Sequence, residues 1–150
     1  IFNWKNKCKD IFVNENFLTN KKPNKTNYNN LNKGLNIFKS LGKIDLVQSM
    51  IIQNTLILGV ETIEGTDELI KRCFKYKKKG DGGILLKLSK YNQSSQLDIP
   101  VIGLNTVKLL KLYNFEGAFL EKERCIIVNK TEVIDYCNIN SLFLSGIDKI

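Results

Sequence analysis

Lys87, Lys90 and Asp98 stand along Gly-Ile-Leu-Leu-Lys-Leu-Ser-Lys (83–90) and the polar stretch that follows it. Two ammonium groups followed by a carboxylate are residue types that can meet an anionic ligand and a hard cation: lysines act as point charges, and a carboxylate can hold a metal such as Mg²⁺. Glu64-Gly65-Thr66-Asp67 is a second group of interest, because a carboxylate and a glycine directly precede a helix-like stretch. Free N–H groups at such a helix start bind anions. Plainer readings stay open beside these: Lys87 as an ordinary ion-pair partner of Asp98, Glu64 as a solvated loop residue, and Asp67 and Glu68 as carboxylates complementing a helix dipole.

These residues need elements to place them. The run 84–88 is too short for a helix and lacks polar alternation before Lys87, so it suits a central strand covered on both faces. Lys87 and Lys90 then fall at the strand's carboxyl end, where open α/β sheets bind ligands. Pro100 pushes Ile99 into an extended conformation, which makes Asp98 a loop carboxylate.

Upstream, Asp10-Ile-Phe-Val-Asn14 has the look of a short strand, and 19–30 reads as linker, with Pro23 and many Asn. Leu31, Leu35, Phe38 and Leu41 recur at helical spacing and predict a helix over 28–43. The runs 47–53 and 55–61 read as a hairpin turning at Gln53-Asn54, and a helix follows with Thr66 as its N-cap. Lys75 to Lys79 reads as a solvated basic helix end. Downstream come a helix capped by Asn105, strands over 115–120 and 125–128, a helix with Asn129 and Glu132 at capping-box spacing, and a strand over 142–145. The alternation implies an α/β fold, a three-layer α/β/α sandwich with a mixed β-sheet.

Composition narrows the chemistry further. The 150 residues include no His, which excludes Ser-His and Cys-His nucleophile pairs and His-ligated metals from this chain. Cys8, Cys73, Cys125 and Cys137 form no C-x-x-C pair, and read as reduced, buried thiols. A net charge of +8 invites a nucleic-acid reading. However, nearly all of it is Lys, with Arg only at Arg72 and Arg124, so no nucleic-acid partner is expected. No apolar run is long enough for a membrane span. The opening Ile1 and the poorly patterned residues after it suggest a fragment, with 1–27 the end of a missing amino-terminal domain and its linker, and 28–150 a carboxyl-terminal domain.

Taken in order, several blocks resemble one family: Ile44-Asp45-Leu46-Val47-Gln48, Gly59-Val-Glu-Thr-Ile-Glu-Gly-Thr-Asp67, Leu86-Lys87-Leu-Ser-Lys90, Leu97-Asp98-Ile-Pro-Val-Ile-Gly103, Glu116-Gly-Ala118 and Leu142-Phe-Leu-Ser-Gly-Ile147. They are similar to the carboxyl-terminal domain of the LpxI family, the UDP-2,3-diacylglucosamine pyrophosphatases of lipid A biosynthesis, across about 28–147. Val47 and Tyr91 depart from it where the family usually has glycine and often proline.

The resemblance implies a cytoplasmic, Mg²⁺-dependent hydrolase that splits UDP-2,3-diacylglucosamine into UMP and 2,3-diacylglucosamine 1-phosphate. It implies an active site between this domain and an amino-terminal Rossmann-like domain, so that this chain alone is expected to be inactive. Peripheral contact with the inner membrane and a homodimer are compatible with it. By the same resemblance Asp98 is the catalytic aspartate, as metal ligand or in positioning water. Lys87 and Lys90 hold the phosphates, and Glu64, Thr66 and Asp67 take weaker roles at the diphosphate, its metal or the sugar. The rival reading is a non-catalytic module that binds an anionic ligand or nucleic acid.

Overall fold

The computed structural model describes residues 9–41, 47–90 and 99–148. Helix α1 (Lys25–Leu41) is followed by the hairpin β1 (Ser49–Gln53) and β2 (Leu56–Val60), then α2 (Thr66–Phe74) and β3 (Ile84–Lys87). The short strand β4 (Val101–Ile102), α3 (Leu104–Leu112), β5 (Gly117–Glu121), β6 (Ile126–Ile127), α4 (Lys130–Ile139) and β7 (Phe143–Ile147) complete the order. Among the described residues β2-β1-β3-β5-β7 form a five-stranded sheet, and β4 pairs with β6 in a two-stranded one. β1 is antiparallel to both neighbours while β3, β5 and β7 are parallel, so the main sheet is mixed.

Alternation along the strands divides the core. Ile51, Leu85, Ala118, Leu120 and Leu144 face one side and pack with Leu69, Ile70 and Cys73 of α2, Val107 and Leu110 of α3, and Val133 and Cys137 of α4. Met50, Ile52, Ile84, Leu86, Phe119 and Phe143 face the other, against Leu31 and Phe38 of α1. Burying each of the two α1 side chains contributes roughly 1.5–3 kcal/mol. These layers are the three-layer sandwich that the sequence implies.

The start of α1 differs from the linker reading of 19–30. Asn24 and Asn27 cap each other: the Asn27 amide donates to Asn24 Oδ1 at 3.0 Å, and the Asn24 amide donates to Asn27 Oδ1 at 2.9 Å. The reciprocal arrangement is that of a capping box, made with asparagines. Asn27 and Asn30 are fully buried, their amides donating to Glu116 at 2.8 Å and Asp81 at 3.1 Å. What reads as a polar linker is thus a buried polar join between α1 and the sheet.

Upstream of α1, residues 10–14 hold a 3-10 turn (Lys9–Ile11) and a single bridge from Phe12 to Ile126 in place of the expected strand. Beyond it the chain runs along the outer edge of β7: the Leu18 amide donates to Leu144 O and the Gly146 amide to Asn16 O, both at 3.0 Å. Val13 is fully buried. The hairpin turn is centred on Asn54 and Thr55, both at positive φ, one residue beyond the expected pair.

Candidate functional site

β2, β3, β5 and β7 all end at one edge of the sheet, and β1 begins there. Lys87 is the last residue of β3 and lies at this edge as the strand reading requires, yet it is only 3% exposed. Its Nζ lies 2.5 Å from Thr66 Oγ1, 3.1 Å from Ser49 Oγ and 3.6 Å from Glu61 Oε2. Glu61 follows β2 and is itself buried. The ion pair of Lys87 among the described residues is therefore with Glu61.

Thr66 is the first residue of α2 and not its cap. The N-cap is Gly65, at φ 83° and ψ 164°, a conformation essentially reserved for glycine. That turn sends the Thr66 hydroxyl inward, where it donates to Glu61 Oε2 at 2.9 Å. Asp67 points the other way and accepts from Asn105 Nδ2 at 2.6 Å and Thr106 Oγ1 at 2.7 Å. Asn105 is likewise inside α3, whose N-cap is Gly103, so its side chain serves Asp67 and not its own helix end. Asn129 does precede α4 but makes no side-chain cap.

Glu64 accepts from the Thr62 amide at 3.0 Å and from its hydroxyl, and from Arg72 Nη2 at 2.5 Å. These bonds, with Thr62 first and Arg72 second, hold its carboxyl well below the usual range, at about 2. Glu64 is anionic and paired across the working pH range. Lys90 is half-buried at the end of the described stretch after β3, and Asp98 lies outside the described residues.

Between the starts of α2 and α3 lies an open groove of about 570 Å³, with Gly65, Asp67, Gly103 and Asn105 on its walls and Val101, Leu104 and Val128 on its apolar side. Neither helix start has a side-chain cap, so first-turn N–H groups of both stand at this groove.

Sequence reading missed Glu61, Ser49 and Glu121. Glu121 ends β5 buried, with its Oε2 accepting from both the amide and the hydroxyl of Ser89 at 2.7 Å. It reads in sequence as the first residue of a charged turn. The thiols of Cys73, Cys125 and Cys137 are free and buried, and burial pushes them up to about 11, 12 and 12, so none offers a thiolate.

Among the described residues no three Asp, Glu or Cys side chains gather as a metal would require. Each carboxylate at this edge is taken by a protein donor, so the described residues alone do not fit Mg²⁺. The ligand that the resemblance implies, Asp98, is not among them.

The chain is 28% identical over 124 residues to the UDP-2,3-diacylglucosamine pyrophosphatase LpxI of Caulobacter vibrioides. That alignment covers 79% of this chain and 44% of the relative, so the chain spans less than half of the relative's length. The family described as LpxI C-terminal domain matches residues 14–145, spanning the capped α1, the five-stranded sheet and both walls of the groove, and the chain belongs to that family.

Proposed function

We propose that this chain is the carboxyl-terminal part of a hydrolase that splits the pyrophosphate of UDP-2,3-diacylglucosamine into UMP and 2,3-diacylglucosamine 1-phosphate in lipid A biosynthesis. The observation that carries the reading is the family match across 14–145, which includes every strand of the main sheet except the last two residues of β7. The geometry supports it in a specific way. A groove between two uncapped helix starts, at the carboxyl edge of the sheet, offers N–H donors to an anion and an apolar flank beside it.

In this reading Asp98 is the catalytic carboxylate, and Mg²⁺ at Asp98 together with groups beyond the described residues is part of the proposal. Lys90 meets the phosphates. Glu64 and Asp67 act indirectly, by holding the groove's walls through Arg72 and through Asn105 and Thr106. An amino-terminal Rossmann-like domain supplies the facing half of the cleft. Among the described residues no helix is long and apolar enough to cross a membrane. We place the enzyme in the cytoplasm, meeting its lipid substrate peripherally at the inner membrane.

The test is UMP release from UDP-2,3-diacylglucosamine by the full-length protein, with and without Mg²⁺, beside Asp98→Ala. Release should require the metal and fall by about 100-fold or more in the variant, the loss typical of a group acting in proton transfer or water activation. A well-folded full-length protein that binds the UDP-lipid but never releases UMP would leave the non-catalytic binding module in its place.

A further inference from the structure

An ammonium group has three N–H donors. Around Lys87 Nζ stand Thr66 Oγ1 at 2.5 Å, Ser49 Oγ at 3.1 Å and Glu61 Oε2 at 3.6 Å. Two hydroxyl acceptors and a paired carboxylate, around a side chain only 4% exposed, turn the ammonium toward protein groups and away from the groove. The contacts continue outward. Thr66 opens α2, and the next residue, Asp67, holds Asn105 and Thr106 in the first turn of α3. One connected set of bonds thus runs from the end of β3 to both helix starts that flank the groove.

We propose that Lys87 is a positioning residue and not a phosphate ligand. Through the Thr66 hydroxyl it latches the first turn of α2 to the sheet, and through Asp67 that turn fixes α3, so that the two walls of the groove keep one spacing. The turnover part of this inference rests on the pyrophosphatase reading above. The latch itself does not, since every contact in it is made within this chain.

Thr66→Val, which keeps the shape and removes the hydroxyl, and Thr66→Ser, which keeps the hydroxyl, are compared with Lys87→Met in the full-length protein. Two readouts are taken: kcat and KM for UMP release from UDP-2,3-diacylglucosamine, and hydrogen exchange at the amides of Leu69 and Val107. Those amides make the first backbone bonds of α2 and α3, to Gly65 O and Gly103 O.

Thr66→Val should lower kcat about tenfold or more while KM moves by less than about threefold, because misplaced groups lose rate even when binding survives. It should also speed exchange at both amides, and Thr66→Ser should restore kcat and exchange together. Lys87→Met should follow Thr66→Val; if it does not fold, the Thr66 pair decides alone. A Lys87→Met protein with KM raised about tenfold at unchanged kcat, beside a silent Thr66→Val, would make Lys87 a phosphate ligand and overturn the proposal. Unchanged exchange at Val107 in Thr66→Val would also overturn it. Should the wild-type protein release no UMP, the pyrophosphatase reading falls, and the exchange measurement still decides the latch.

Discussion

Glu64, which stands directly before the N-cap of α2, is held from both sides by Thr62 and Arg72. Its bonds from Thr62 and Arg72 lower its folded pKa to about 2 from an ordinary 4.5. A depressed folded value means that the stabilisation is complete above about pH 4.5 and is lost as the pH falls from there through 2. Thermal melts of the wild type should therefore decline more steeply between pH 5 and pH 2 than those of Glu64→Gln. Added salt should narrow the difference, because the Arg72 pair is open to solvent.

Glu121 makes the opposite case, a buried carboxylate whose oxygen holds both donors of Ser89. Glu121→Ala leaves those donors unmet and should cost about 1–3 kcal/mol in urea unfolding, and Glu121→Gln, which keeps an acceptor, should cost less. Sequence placed Lys87 at the end of a covered strand, and that is where it is. Its burial was not legible there, because its acceptors come from Ser49, Glu61 and Thr66, which lie 38, 26 and 21 positions away along the chain. Nothing in local spacing announces such a meeting.

At the level of elements, periodicity served well where a single apolar stripe faced the sheet and less well where polar residues did the joining. Leu31, Leu35 and Phe38 gave away α1, but its true start was hidden in asparagines that composition assigns to linkers. Helix starts were misjudged for a related reason. Thr66 and Asn105 are good cap types, yet a glycine precedes each and takes the capping position, which frees their side chains for tertiary bonds. Gly65 is the more constrained of the two glycines. Its φ of 83° and ψ of 164° exclude a side chain on conformational grounds, although nothing lies within 4 Å of where a Cβ would stand. Gly65→Ala should cost about 1–3 kcal/mol by urea unfolding, with the loss arising from the backbone and not from crowding. Gly103, at φ −145° with open space around it, should accept alanine with far less loss in the same measurement.

For the whole molecule, the order of strands and helices sufficed to read the layers, because each apolar face has one natural partner. The carboxyl edge of the sheet was legible as the place where Lys87 falls, but the groove was not, because its two-helix construction depends on Asp67 reaching Asn105 and Thr106 nearly forty residues on. The proposal of a facing domain carries its own expectation. Residues 1–150 alone should unfold cooperatively in urea and yet release no UMP, and release should appear when the facing domain is restored in the full-length protein. Turnover by residues 1–150 alone would confine the active site to this chain.

The strip of chain along β7 has a consequence for colloidal behaviour. A parallel sheet that stops at an open strand presents unpaired N–H and C=O groups, a template for joining another copy. Here residues 16–19 occupy that template: Leu18 and Asn16 take up backbone groups of β7, Thr19 Oγ1 accepts from the Leu144 amide at 2.9 Å, and the Ser145 hydroxyl donates to Asn16 O at 2.7 Å. The segment acts as a selvage, finishing the woven edge so that it does not run on into a neighbour. Deleting residues 1–19 should leave most of the core in place and yet yield a protein whose light scattering rises with concentration and time, through self-association along β7.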